Sequence, residues 1–167
     1  TVVAGIGQGY VLVTPMQLAV MTARLANGNK AVIPSLKAVE GEVEFADLGI
    51  SESALRIVRE GMFEVMNGSL GTARRHNLPS RQGGMSGKTG TVQVKRITKE
   101  QREAGITKNI ERPWKERDHA LFVGYAPVRN PRYAVAVVVE HCGSGSSMAA
   151  PIARAALQRA LEINGEA

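Results

Sequence analysis

Two strongly apolar segments near the C-terminal end, only five residues apart, constrain the fold of this chain more than any other feature. They cover 119–126 and 132–140, and the connection is Pro127-Val128-Arg129-Asn130-Pro131. A connection this short cannot carry a crossover helix, so the two strands must pair antiparallel. The second segment is a near-continuous run of Val and Ala, which is typical of a strand covered on both faces.

Helical signals surround this hairpin. Thr14 and Gln17 have the spacing of a capping box with Pro15 between them, and Asn27-Gly28 ends the first predicted helix. A second helix is predicted over 51–67, with a buried stripe at Leu55, Val58, Met62 and Val65. A last helix begins at Pro151, and its predicted inward residues are Ile152, Ala155, Ala156 and Ala160.

The rest of the chain supplies shorter strands and one unusual segment. A short strand interrupted by Pro34 is predicted over 31–39, and β-branched residues return in 85–97. The segment 97–118 carries 11 charged residues among 22, which predicts a long solvated excursion with one helical turn. The order of helix, strand, helix, three strands and helix predicts an α+β fold with an antiparallel sheet and flanking helices.

Composition excludes several classes of function. The 167 residues suit one domain, and the net charge of +6 is scattered, with only one Trp, so no nucleic-acid partner is expected. Cys142 is the only cysteine, which excludes an internal disulfide and a cysteine-based zinc site. His76, His119 and His141 are too scattered to predict a metal site. We therefore expect no metal and no cofactor.

The segment that carries chemistry is Gly83-Gly84-Met85-Ser86-Gly87-Lys88-Thr89-Gly90-Thr91-Val92. A phosphate loop of the form G-x-x-x-x-G-K-[ST] would need glycine at position 82, which is Gln82. Such a loop must also open a helix, whereas Thr91-Val92-Gln93-Val94 alternates like a strand. The alternative is the Lys-Thr-Gly strand of serine acyl-transferases that react with β-lactams.

On a strand, Thr89 and Thr91 share one row, and two hydroxyls on that row can bind a substrate carboxylate. Lys88 lies on the other row and adds positive charge beneath the same cleft. Gly87 and Gly90 have no side chain, which lets a peptide backbone approach and pair with the strand. The tripeptide alone is weak evidence, because a surface strand with a glycine turn has the same letters.

Flanking segments strengthen this interpretation. The stretches Gly5–Tyr10, Thr14–Ala19, Gly71–Ala73, Gly87–Val94 and Asp118–Pro127 together resemble, in the right order, the C-terminal part of the transpeptidase domain of class B penicillin-binding proteins. The resemblance is closest to the elongation-type subgroup of rod-shaped bacteria. It implies that 1–167 is the C-terminal portion of one transpeptidase domain, with a partial penicillin-binding/serine β-lactamase-like fold.

The resemblance also implies a mechanism and a site. A serine attacks the penultimate D-alanine carbonyl of a peptidoglycan stem peptide, and an amine of a neighbouring stem takes the acyl group. Lys88 and Thr91 would be catalytic, with the Thr91 N–H as one oxyanion donor, and Thr89, Gly90 and Thr91 would bind the donor or a β-lactam.

Two sequence elements of the family are missing. The sequence contains no Ser-x-x-Lys: Ser35 and Ser86 have Lys two residues on, and Ser53 is followed by Arg56. Ser-x-Asn, the second family element, is missing too. The chain begins at Thr1 without a signal peptide, and its longest apolar run, 133–139, is too short to span a bilayer. We therefore expect a fragment that is inactive alone, with nucleophile and N-terminal membrane anchor elsewhere in a longer protein.

The resemblance places that longer protein on the periplasmic side of the bacterial inner membrane. Its implied partners are a membrane glycosyltransferase and cell-elongation proteins. Two other interpretations remain open: a D,D-carboxypeptidase or β-lactamase-type hydrolase, in which water replaces the amine, and a non-catalytic β-lactam sensor or scaffold module.

Overall fold

The computed structural model describes residues 4–9, 11–37, 41, 43–106 and 108–165. Its helices are α1 (Pro15–Ala26), α2 (Glu52–Asn67), α3 (Lys99–Glu103) and α4 (Ala150–Ile163). Its strands are β1 (Ser86–Val92), β2 (His119–Ala126) and β3 (Tyr133–Val139). Within these described ranges, no helix is both long enough and apolar enough to cross a bilayer.

The three strands form one antiparallel sheet in the order β1-β2-β3, which confirms the predicted hairpin and the α+β class. Phe122 in the central strand pairs with Thr89 of β1 on one side and with Val137 of β3 on the other. Both α1 and α4 contact β3, whose side chains are mostly half-buried, although Val138 is 38% exposed. The covering of β3 is therefore partial.

The main core lies between α4 and the Phe122 row of the sheet. Phe122 has no exposed surface, and Ala120 and Ala126 on the same row are also fully buried. The helix contributes Ala150, Ala153, Leu157 and Leu161 to this cluster. The inward face predicted from the sequence was wrong, because Ile152 is 49% exposed and Ala155 and Ala156 are exposed. The alanine-rich helix has apolar residues on most sides, so the position of the two leucines decides which side packs.

The predicted capping box of α1 is confirmed, and α2 also begins at a side-chain cap. Thr14 and Gln17 form a reciprocal capping box at the start of α1, and the Ser51 side chain accepts a hydrogen bond from the Ala54 N–H at the start of α2. The buried stripe of α2 consists of Leu55, Met62 and Met66. Val58 was predicted in that stripe but is 43% exposed, and Val65 is half-buried.

The strand predicted over 31–39 was wrong for the part that the structure describes. Residues 31–37 have no regular strand, and 38–39 lie outside the described residues. Among the residues of this region that the structure describes, the only bridge joins Lys30 and Asp47. Pro34 cannot donate a ladder hydrogen bond, which is consistent with the absence of continuous pairing here.

The charged segment 97–118 is anchored to the sheet rather than fully solvated. It contains the predicted helical turn, as α3, but the Arg112 side chain is buried. The guanidinium of Arg112 pairs with the Asp118 carboxylate at 3.0 Å and donates to the Lys95 carbonyl. These contacts tie the segment to the exit of β1 and the entry of β2. A high content of charge predicted solvation, but a charge that is paired with an opposite charge and hydrogen-bonded can be buried.

Candidate substrate-binding edge of strand β1

Among the described residues, β1 is an edge strand, and the backbone groups of alternate residues point away from β2. The Gln8 side chain donates from Nε2 to the Thr91 carbonyl at 2.9 Å, and its Oε1 accepts from the Gln93 N–H at 3.4 Å. In a strand, the N–H and C=O of one residue point to the same edge, and the N–H and C=O of the residue two positions further along point to that edge as well. The N–H groups of Thr89 and Thr91 therefore face the free edge.

Two glycines let β1 lie close to β2. A Cβ at Gly87 would be 2.3 Å from the Phe122 ring and 2.6 Å from the Val123 carbonyl oxygen. A Cβ at Gly90 would be 3.2 Å from the Leu121 Cβ. Packing inside the sheet therefore explains Gly87 and only slightly disfavours a side chain at Gly90, and a contact of Gly90 with substrate stays a prediction.

A third hydroxyl joins the row of Thr89 and Thr91. The Oγ1 atoms of Thr72 and Thr89 are 3.3 Å apart. Thr72 is held there by its neighbour, since a Cβ at Gly71 would be 2.5 Å from two carbonyl oxygens at the end of α2. Only glycine can follow that path. The result is a short row of hydroxyl groups at the edge of the sheet, suited to an anionic oxygen ligand.

The start of β1 is fixed by two asparagine side chains. Asn77 accepts a hydrogen bond from the Met85 N–H at 3.1 Å, and Asn67 donates to the Met85 carbonyl at 3.1 Å. The two amides are joined to each other at 2.7 Å. Met85 has no exposed surface, so this pair satisfies both of its backbone groups where water has no access. The start of β1 is therefore held in a defined position next to the C-terminal end of α2.

Lys88 lies on the opposite row from the hydroxyl groups. Its side chain is exposed, and Nζ donates to the Thr89 carbonyl at 2.8 Å. The ammonium group consequently lies near the same free edge that the threonine backbone faces. It adds positive charge where a carboxylate would approach.

The structure brings together Lys88, Thr89, Gly90 and Thr91 as neighbours on one strand, as the sequence predicted. It adds Thr72 and Gln8, for which the only sequence signal was their place in motifs that resemble the family. His119, the histidine beside this strand, instead accepts a hydrogen bond at Nδ1 from the His141 N–H at 2.9 Å. No group of three acidic, histidine or cysteine side chains in the described part of the chain could hold a metal ion.

An edge strand with a Lys-Thr-Gly sequence, beside an antiparallel hairpin, fits the class of domain in which this motif occurs, that of the penicillin-binding proteins and serine β-lactamases. The family model for the penicillin binding protein transpeptidase domain matches residues 1–158. The chain belongs to this family.

Individual relatives identify the subgroup. The chain is 37% identical over 166 residues to the peptidoglycan D,D-transpeptidase MrdA of Haemophilus influenzae, covering 92% of this chain and 24% of that protein. It is similar to the Pseudomonas aeruginosa PBP2 structure in complex with WCK 5153, with a TM-score of 0.68, 35% identity and coverage of 95% and 33%. A Helicobacter pylori PBP2–MreC complex gives a TM-score of 0.75, 27% identity and coverage of 99% and 28%.

These relatives confirm the predicted elongation-type subgroup, that of penicillin-binding protein 2, and the penicillin-binding/β-lactamase fold. The chain spans about a quarter of the length of the curated relatives that it matches.

Proposed function

We propose that this chain supplies the substrate-binding strand of a peptidoglycan D,D-transpeptidase that cross-links stem peptides by serine acyl transfer and is inhibited by β-lactams. The observation that carries the proposal is the free edge of β1, where the backbone of Thr91 faces outward beside the hydroxyl of Thr89. The nucleophile comes from the part of the transpeptidase domain that this sequence does not contain.

The acyl donor adds to the edge of β1 as an antiparallel strand. In a hydrogen-bonded antiparallel pair, two residues exchange both their N–H···O bonds. With the penultimate D-alanine opposite Thr91, the Thr91 N–H donates to the scissile carbonyl and the Thr91 carbonyl accepts the N–H of that same D-alanine. The first bond strengthens as the carbonyl oxygen gains negative charge, so Thr91 acts as an oxyanion donor. The nucleophile's own N–H supplies the second donor.

The donor carboxylate then lies on the side of Thr89. Hydroxyl groups of Thr89 and Thr91 donate to it, and Thr72, 3.3 Å from Thr89, extends the row. Lys88 contributes positive charge along the same edge and supports proton transfer at the nucleophile. Charge-assisted hydrogen bonds of this kind are about twice as strong as neutral ones. A β-lactam has a reactive carbonyl and a carboxylate at similar positions, and so occupies the same edge.

The reaction has two acyl-transfer steps. The serine oxygen bonds to the D-alanine carbonyl carbon, and the terminal D-alanine leaves with a proton. An amine of a neighbouring stem then attacks the ester, forms the cross-link and restores the serine hydroxyl. The names of the relatives favour the amine over water as the acceptor.

The location and partners follow from the same assignment. We place the whole protein at the periplasmic side of the bacterial inner membrane, anchored by an N-terminal helix, with cell-elongation proteins and a membrane glycosyltransferase as partners. The complex of a Helicobacter pylori PBP2 with MreC supports a partner of the first kind.

Fluorescent penicillin labelling tests the proposal. We expect the whole protein to form a stable acyl-enzyme and the 167-residue chain alone to remain unlabelled. Thr89→Val in the whole protein should slow acylation, while Thr98→Val, in the cap of α3, should not. A whole protein that never forms an acyl-enzyme would refute the proposal. Product analysis with and without an acceptor amine separates a transpeptidase from a hydrolase.

A further inference from the structure

The Gln8 side chain forms hydrogen bonds with the outward-facing backbone at the C-terminal end of β1. Its amide group bridges the Thr91 carbonyl at 2.9 Å and the Gln93 N–H at 3.4 Å. The flanking Gly7 and Gly9 have φ values of +76° and +95°, a backbone conformation that residues with a side chain rarely adopt. A tight turn therefore presents this one side chain to the edge of the strand.

The side-chain amide of Gln8 makes the two hydrogen bonds that two residues of an added antiparallel strand would otherwise make. An antiparallel partner would donate an N–H to one carbonyl of the edge and accept the N–H two residues on. Gln8 satisfies this pair of groups with a single side chain. The Gln93 N–H is used, whereas the Thr91 carbonyl keeps a second lone pair for another donor.

The sequence of β1 by itself specifies the register of a paired peptide only weakly. Strands rich in glycine specify register weakly, and β1 contains Gly87 and Gly90 in seven residues. A slip of two residues keeps every side chain of the added peptide on its original face, so the faces do not oppose it. Such a slip would move the scissile carbonyl about 7 Å along the strand, from Thr91 to Gln93.

We propose that Gln8 is a register stop: it closes the edge beyond Thr91, so that the acyl donor pairs only with its penultimate residue opposite Thr91. This inference rests on the proposed function. A donor shifted by two residues toward Gln93 cannot form its hydrogen bond there, because the Gln93 N–H already donates to Gln8 and the Gln8 side chain occupies that part of the edge. Residues upstream in the stem peptide consequently leave the sheet after Thr91. Gln8 is a specificity-determining residue that acts on the alignment of the donor.

The test compares a peptide substrate with a penicillin. Gln8→Ala in the whole protein frees the Gln93 N–H and admits the slipped, unproductive register. For release of terminal D-alanine from a stem pentapeptide, we expect kcat/KM to fall about 3- to 10-fold, the factor of roughly one hydrogen bond. Acylation by a fluorescent penicillin should change less than about 2-fold, because its carbonyl and carboxylate are held together and no upstream peptide pairs with Gln93. Gln158→Ala, which removes a surface amide that donates to Glu162, is the matched control.

Each outcome separates the explanations. An equal fall for peptide and penicillin would show that Gln8 only supports the strand, and a rise for both would show that it competes for the Thr91 carbonyl. Either result would overturn the register stop while leaving the proposed function intact, since the unchanged protein still forms the acyl-enzyme. An unchanged protein that is not acylated refutes the proposed function, and the inference with it.

Discussion

Replacing Gly87 by alanine should disrupt the candidate site more than the same change at Gly90, the other glycine of β1. The added Cβ would lie 2.6 Å from the Val123 carbonyl oxygen and 2.3 Å from the Phe122 ring. The ring belongs to the core and has no exposed surface, and the carbonyl belongs to the adjacent strand, so neither can move freely. The strand itself must shift. Overpacking of this kind typically costs about 1–3 kcal/mol.

Gly90→Ala is the matched control within the same strand. Its added Cβ would meet only the Leu121 Cβ, at 3.2 Å, which a shift of a few tenths of an ångström relieves. We expect it to cost less than about 1 kcal/mol. Hydrogen exchange of 84–92 in the whole protein measures the effect, and it should rise much more for Gly87→Ala than for Gly90→Ala. Equal exchange in the two variants would refute the argument that packing on Phe122 and Val123 sets the position of β1.

Three further perturbations address the surroundings of the strand. Asn77→Ala removes the acceptor of the buried Met85 N–H and should cost about 1–3 kcal/mol, visible as faster exchange at the start of β1, while Asn77→Asp keeps that acceptor and should cost less. Thr72→Val removes one hydroxyl from the row and should slow penicillin acylation by about 2- to 10-fold with unchanged thermal stability; no change would exclude Thr72 from carboxylate binding. The hydrogen bond from Lys95 lowers the pKa of Glu116, so its stabilising effect is complete above the ordinary carboxyl pKa and is lost as the pH falls through the lowered value. Glu116→Gln should flatten this acid-side dependence in thermal unfolding, and an identical pH profile in both proteins would contradict it.

Local signals in the sequence predicted the elements of this fold well. The short connection at 127–131 required the antiparallel hairpin, and the capping box at Thr14 and Gln17 gave the start of α1. Each of these features depends on residues close together in the chain, where sequence spacing and spatial distance agree. The packing of α4 depended on which of several apolar sides meets the sheet. Leu157 and Leu161 settle that choice by packing in the core with Phe122, and the stripe predicted from the alanines did not include them.

In the candidate site too, the features that depend on neighbouring residues were predicted from the sequence, and those that depend on distant residues were not. The row of Thr89 and Thr91 follows from strand geometry and was predicted from the sequence. Thr72 and Gln8 reach the strand across 17 and 83 positions of the chain, and no local pattern indicates such contacts. The glycines of β1 were predicted to admit a substrate, whereas the structure explains Gly87 first by the close approach of β2. The burial of Arg112 depended on a partner, Asp118, that charge counting does not identify.

The most direct test of the central claim is a crystal structure of the whole protein acylated by a penicillin. We predict that the acyl carbonyl oxygen accepts a hydrogen bond from the Thr91 N–H, at about 2.7–3.2 Å, while the penicillin carboxylate contacts the hydroxyl groups of Thr89 and Thr91. An acyl group whose carbonyl and carboxylate both lie away from the edge of β1 would contradict the assignment of that edge as the donor site.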